Sequence, residues 1–202
     1  MAAAEVEYGD RFEFALVRVL AVMSPKPSKI LLTGLPGCGK TTAVVRIAES
    51  LPSVKVVGFY SEEIREDDRR KGFRWTRLDG PTGMLAHVKI KSRFKVGRYK
   101  VDVAGFEEAV VPVLDADRSD AELFIIDEIG KMECLSQRFV AAVRRLLASD
   151  KSVLATVAKK GTGLIREVKT HPDTELTILT RDNRDQVTAE ILQALSFPET
   201  PS

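Results

Sequence analysis

Gly34-Leu35-Pro36-Gly37-Cys38-Gly39-Lys40-Thr41 satisfies the pattern G-x-x-x-x-G-K-[ST] at every fixed position. Each fixed residue has a physical task. Gly34, Gly37 and Gly39 let the backbone close around a β-phosphate with its N–H groups pointing inward. A helix opening at Lys40-Thr41-Thr42 adds the positive end of its dipole. Lys40 has the reach for the β- and γ-phosphates, and the Thr41 hydroxyl suits Mg²⁺. Leu35, Pro36 and Cys38 fill the free positions of the nucleotide-binding loop. A glycine loop can also merely turn a chain, but here an apolar strand precedes it and a helical pattern follows.

A second constellation supports the first. Leu123-Phe124-Ile125-Ile126-Asp127-Glu128 is an apolar strand ending in two carboxylates. Asp127 would stand at the carboxyl end of the sheet, where Mg²⁺ binds on such a domain. Glu128 directly after it is placed to orient and deprotonate an attacking water. It could instead support the metal at one remove, or cap a helix. Lys131, just past Gly130, is close enough in sequence to serve the γ-phosphate, or it is a surface lysine. Glu62 and Glu63 follow the second strand on the same edge; one of them orders a metal-bound water, or both lie in a solvated turn. Arg65, Arg98 and Arg184 are candidates for stabilising transition-state charge. Arg184 could also stack on a base. Asn183 could hydrogen-bond to the base or cap the last helix.

These residues need elements to hold them. Ile30–Leu32 reads as a strand and Thr41–Leu51 as a helix. Val54–Tyr60 reads as a second strand. From Ser61 to Lys100 the chain is charged and alternates with period two, as in Phe73–Thr76 and Val88–Lys91, which predicts a hairpin-rich antiparallel extension. A helix around Ala104–Ala116, shortened or bent by Pro112, comes next. Leu135–Ala148 and Asn183–Leu195 read as helices, and Ser152–Val157 and Glu175–Leu179 as strands. Alternating strands and helices predict an α/β, three-layer fold with a mostly parallel sheet. The expected organisation is an accessory helix within residues 1–27, a catalytic domain over 28–196 containing the extension 61–100, and a flexible tail over 197–202.

Composition narrows the class. The chain has 202 residues, 44% hydrophobic and 30% charged, which is the profile of a globular protein. Lys and Arg number 31 and Asp and Glu 29, so bulk charge does not hold the protein to nucleic acid or membrane. No apolar run approaches the roughly 20 residues of a membrane span. Acidic residues near the start argue against export, and Cys38 and Cys134 alone form no disulfide framework, so a cytoplasmic location is expected. High charge with one Asn and three Gln is the pattern of a thermophilic source. His87 and His171 are isolated, and no His/Cys metal site is indicated.

With these motifs in view, the sequence resembles the THEP-type nucleoside-triphosphatases, a family that includes the cancer-related nucleoside-triphosphatases, within the P-loop NTPase superfamily. Carrying the resemblance are Thr33-Gly34 to Lys40-Thr41-Thr42, Gly58-Phe59-Tyr60-Ser61-Glu62-Glu63 with Arg65, Val96-Gly97-Arg98-Tyr99, Ile126-Asp127-Glu128-Ile129-Gly130-Lys131-Met132-Glu133, and Asn183-Arg184-Asp185. Ser61 stands where the family usually has Thr, and residues 1–27 extend beyond its usual start. The resemblance implies Mg²⁺-dependent hydrolysis of nucleoside triphosphates (ATP, GTP, CTP and UTP) to diphosphates, with broad base tolerance and slow turnover. A monomer is expected.

Two other functions fit the residues. A nucleotide or small-molecule kinase would use the arginines of Arg65–Arg77 as part of an acceptor lid; Glu128 after Asp127 favours water instead. An RNA-associated or signalling nucleotide switch would use the basic run Lys89, Lys91, Arg93, Lys95, Arg98 and Lys100, with Phe94 and Tyr99 interleaved. That run is otherwise a solvated face, and no RNA-binding signature accompanies it.

Overall fold

Ile30, Leu31 and Leu32 are buried whichever way they point, so strand β1 (Lys29–Thr33) lies inside the sheet with both faces covered. The computed structural model describes residues 28–117, 119–195 and 197. The accessory helix expected within 1–27, and all of the expected tail except Phe197, lie outside the described residues.

After β1 come helix α1 (Lys40–Glu49) and strands β2 (Val56–Glu66), β3 (Arg69–Arg77), β4 (Thr82–His87), β5 (Lys95–Val96) and β6 (Tyr99–Val101). The chain continues through α2 (Val103–Ala109), a 3₁₀ turn (Val111–Leu114), β7 (Leu123–Ile129), a second 3₁₀ turn (Glu133–Leu135) and α3 (Gln137–Ala148). It ends in β8 (Ser152–Val157), α4 (Leu164–Lys169), β9 (Thr174–Ile178) and α5 (Arg184–Ala194). One sheet of nine strands has the order β5-β6-β4-β3-β2-β7-β8-β1-β9. The pairs β2–β7, β7–β8, β8–β1 and β1–β9 are parallel, and those from β2 outward to β5 are antiparallel. This is the expected mostly parallel sheet with an antiparallel, hairpin-rich extension.

Strand alternation sorts the core into two layers. Leu31, Phe124 and Ile126 face a cluster that includes Phe59, Phe106, Phe139 and Leu146. The rings of Phe59, Phe106 and Phe139 meet at centroid distances of 5.4 to 6.2 Å. Ile30, Leu32, Leu123 and Ile125 face the other way, onto Val44 and Ile47 of α1 and Val187 and Ile191 of α5. Helices thus cover both faces, giving three layers.

Several elements differ from the sequence expectation, each for a local reason. Ser136 accepts a hydrogen bond from the Phe139 N–H at 2.9 Å, so α3 starts at Gln137 and the expected residue Leu135 sits in the 3₁₀ turn before it. Pro112 does more than bend its helix: α2 ends at Ala109, and the chain restarts as a 3₁₀ turn with the proline near its start. Strand β2 runs to Glu66, six residues past the expected end, because β3 pairs with it from Phe59 to Glu66. Val88–Lys91 is not a strand but an irregular segment after β4. Its expected alternation survives as exposure. Lys89, Lys91, Arg93 and Lys95 are exposed, while Val88, Ile90, Ser92 and Phe94 are half-buried between them. Helix α4, six residues long, was too short to announce itself by periodicity.

Candidate functional site

The loop after β1 has the backbone that its glycines allow. Gly37 has φ +74° and Gly39 has φ +99°, both in the left-handed region that side chains resist. Gly39 stands at the N-cap of α1. The Lys40 Nζ donates to the carbonyls of Gly34 and Leu35, each at 3.4 Å. The ammonium therefore folds over the hollow of its own loop.

The Thr41 hydroxyl donates to Asp127 Oδ2 at 2.7 Å. Thr156, on β8 between β7 and β1, donates to Asp127 Oδ1. Burial pushes the Asp127 carboxyl up from the usual range, while Thr156, Thr41, the Ser61 N–H and Lys40 pull it back. The peptide joining Asp127 to Glu128 is cis. Burial also raises the Glu128 carboxyl, and Lys40 and Lys169 oppose that. Lys169 reaches this loop end from α4, donating to the carbonyls of Ala158 at 2.6 Å and Lys159 at 2.9 Å.

A cavity of about 670 Å³ opens over the loop. Its floor is Gly34, Pro36, Gly37, Gly39, Lys40, Thr41 and Thr42, and its walls include Glu128, Glu62, Glu63 and Arg184. Most of the sequence candidates therefore share one chamber. Leu35 and Cys38 face a neighbouring cavity of about 400 Å³, together with Ile178, Leu179, Thr180 and Arg181.

Four candidates are placed elsewhere. Lys131 lines a separate hollow of about 500 Å³ with Gln137, Arg144 and Thr162, because the Gly130 turn carries it away from the cradle. Arg65 bonds Glu63 at 3.1 Å and the Asp68 carbonyl at 3.2 Å, at the end of the β2–β3 hairpin. Arg98 donates to the Arg70 carbonyl and to the Tyr99 hydroxyl, and its guanidinium lies 5.1 Å from the Tyr99 ring centroid. Asn183 accepts from the Thr180 N–H at 2.7 Å and donates to the Ile178 carbonyl at 3.0 Å. Its side chain closes the β9–α5 loop and makes no cap hydrogen bond to the helix. The expected side-chain cap is replaced by that loop bond.

Other residues in the chamber were given no role from sequence: Arg70 and Phe73 of β3, Ser61 of β2, and Lys159 and Lys160 after β8. The two lysines had a usable signal, since they directly follow a parallel strand on the edge where ligands bind. Arg70 had none beyond its place in an arginine-rich hairpin. Phe94 and Tyr99 pack against the larger core cluster, so neither ring stands free for stacking.

This arrangement can be compared with known proteins. The profile of the NTPase family matches residues 29–192. The chain belongs to that family. A nucleoside-triphosphatase THEP1 from Thermotoga maritima is 39% identical over 169 residues, covering 84% of this chain and 96% of the relative. The human cancer-related nucleoside-triphosphatase is 38% identical over 178 residues, covering 81% of this chain and 94% of the relative. Among solved structures, the crystal structure of THEP1 from Aquifex aeolicus superposes with TM-score 0.77 at 36% identity, over 84% of this chain and 99% of that one. The solution structure of the human protein gives 0.72 at 35% identity, over 86% of this chain and all of that one. The match spans the P-loop, both carboxylates, the antiparallel extension and nearly all of α5, so the NTPase family shares the whole described fold.

Proposed function

We propose that the protein is a Mg²⁺-dependent nucleoside-triphosphatase that hydrolyses ATP, GTP, CTP and UTP to the diphosphate and phosphate, with slow turnover. The observation that carries this reading is Glu128. It lines the chamber that holds Lys40, one residue after the Asp127 that Thr41 binds. The domain acting is 28–196, working as a cytoplasmic monomer.

The loop N–H groups and Lys40 hold the β- and γ-phosphates, and Lys40 leaves its two carbonyl partners to do so. The Thr41 hydroxyl and the Asp127 carboxylate are hard oxygen donors suited to Mg²⁺, and would hold it. When bound, the ion neutralises phosphate charge. Glu128 takes the proton of the attacking water. The water oxygen bonds to the γ-phosphorus, the bond from phosphorus to the β,γ-bridging oxygen breaks, and the diphosphate leaves with that electron pair.

Broad base tolerance has support in the smaller cavity beside the loop. Its walls include Leu35, Pro36, Ile178 and Leu179, apolar groups that suit the face of any aromatic base, beside Thr180 and Arg181. The Asn183 amide, which could have read it, is occupied within its own loop. The kinase reading retains one supporting observation, the extension of the larger cavity past Arg70, Lys159 and Lys160, which leaves room for an acceptor.

The test is phosphate release from each triphosphate with Mg²⁺, with and without candidate acceptors, for the wild type and Glu128→Gln. Acceptor-independent release, lost at least about 100-fold in the variant while nucleotide still binds, is the expected result. Loss of free phosphate when an acceptor is present, with a phosphorylated acceptor formed in its place, or a variant that turns over normally, would overturn the reading.

A further inference from the structure

Sheet order gives the chamber two distinct ends. The P-loop follows β1, and the Asp127–Glu128 pair ends β7, two strands away. A triphosphate whose β-phosphate sits in the loop and whose γ-phosphate approaches Glu128 therefore points from β1 toward β7. Beyond β7 on that side come β2 and β3. In the other direction lie β9 and the start of α5, where Arg184 stands over Gly39. Arginines at opposite ends of the chamber thus meet different parts of the nucleotide.

The wall at the γ-phosphate end is acidic. Glu62, Glu63 and Glu128 all face the chamber there, and a dianionic terminal phosphate entering against them alone would be repelled. Arg70, on β3, is the cation that the β2–β3 hairpin contributes to that wall. It pairs with Glu63 through one terminal nitrogen and sits over Phe73, its guanidinium carbon 5.6 Å from the ring centroid. Its Nε is buried and makes no hydrogen bond among the described residues. A buried N–H left unpaired is costly, and such groups in native structures call for a missing acceptor. The two other arginines of the extension with sequence claims do not line the chamber: Arg65 is held by the second oxygen of Glu63 and by the Asp68 carbonyl, and Arg98 by the Tyr99 hydroxyl. Arg98 in fact holds the Arg70 carbonyl, fixing the strand from which the Arg70 side chain projects.

We propose that Arg70 is a catalytic residue supplied in cis by the β2–β3 hairpin, leaving Glu63 for the γ-phosphate oxygens as negative charge grows on them during hydrolysis. The inference rests on the hydrolase reading above. Arg70 changes partners and takes no part in proton transfer. Its planar fork of donors matches phosphate oxygens, and Glu63 holds that fork ready at the edge of the chamber. Because the Glu63 pairing competes with the phosphate, only part of the rate gain open to such an arginine is realised, in keeping with slow turnover.

The experiment compares full-length wild type, Arg70→Ala, Arg70→Lys and Arg184→Ala, each checked for an unchanged melting temperature. Two readouts are taken: steady-state hydrolysis with Mg²⁺ and triphosphate, and binding of the diphosphate with and without aluminium fluoride, which imitates the transferring phosphoryl group. Arg70→Ala is expected to lower kcat at least about 100-fold with KM within a few-fold. It should bind the diphosphate normally yet lose the tightening by aluminium fluoride. Arg70→Lys should recover little, and Arg184→Ala should instead raise KM. An Arg70→Ala variant with kcat within about threefold of wild type, or one that keeps the aluminium fluoride effect, overturns the assignment. If the wild type itself releases no phosphate, the hydrolase reading fails instead, and the binding readout still reports on Arg70.

Discussion

Thr41 and Asp127 lie 86 residues apart, and the hydroxyl of the first donates to the carboxylate of the second at 2.7 Å. That bond joins the start of α1 to the end of β7, with Thr156 of β8 closing it from the other oxygen. Burial drives this carboxyl toward the protonated form, whereas the proposed Mg²⁺ role asks for the ionised one. Asp127→Asn keeps the shape and removes the charge. It is expected to abolish Mg²⁺-supported hydrolysis while melting no lower than wild type in metal-free buffer. A fall of several degrees would make Asp127 a structural hub instead; thermal melts with and without Mg²⁺ decide this.

As the proposed base, Glu128 is expected to set the acid side of the rate profile. A general base works only when ionised, so activity falls as pH drops through its pKa, and burial places that pKa above the ordinary 4.5. Lys169 is one of the cations holding it down. Lys169→Met is therefore expected to move the acidic limb of kcat upward in pH. A limb that stays in place when kcat is measured across pH 4 to 8 would detach that limb from Glu128.

How far the sequence reveals this site depends on how local each signal is. Lys40, Thr41, Asp127 and Glu128 lie within short motifs whose flanking strands and helix are apolar and periodic, and the structure brings all four together. Lys131 shows the limit of reasoning from proximity along the chain. Three residues past Glu128 the backbone has already turned through Gly130 into another hollow. Asn183 shows a second limit: an amide at a helix start can bond forward to the helix or back to its loop, and only coordinates reveal that Thr180 and Ile178 take it. Thr156 reaches the site because β8 pairs with β1, far away in sequence, and Arg70 because its local hairpin with β2 is seated beside β7, neither of which a short pattern encodes.

Gly58 is required by sheet geometry. It has φ +133°, and an added Cβ would stand 1.9 Å from the Ile125 carbonyl oxygen on the adjacent strand. That neighbour is backbone in the middle of the parallel sheet and cannot step aside. Gly58→Ala is expected to destabilise the fold by at least about 2 kcal/mol through strain and clash together. Denaturant unfolding measures it; a loss below about 0.5 kcal/mol would show that β2 and β7 separate easily there.

Glu133 makes the stability of the fold depend on pH. Its side chain is buried beneath Gly130, where an added Cβ would meet Glu133 Oε2 at 2.7 Å and Glu128 Oε1 at 3.4 Å. Burial pushes its pKa up to about 8, with the charges of Glu128 and Asp127 adding to the rise and backbone N–H groups of Glu133 and Gly130 opposing it. The unfolded chain releases this proton near the ordinary 4.5, so between about 4.5 and 8 the folded state binds more protons than the unfolded one. Stability must then fall as pH rises through that window, by at most about 1.4 kcal/mol per pH unit from this group, and level off above it. Glu133→Gln removes the titration. Its stability, measured by denaturant unfolding without Mg²⁺ from pH 5 to pH 9, is expected to decline less steeply than that of wild type and to exceed it at pH 9. Parallel curves for the two proteins would mean that the Glu133 carboxyl is ionised in the folded state across this range.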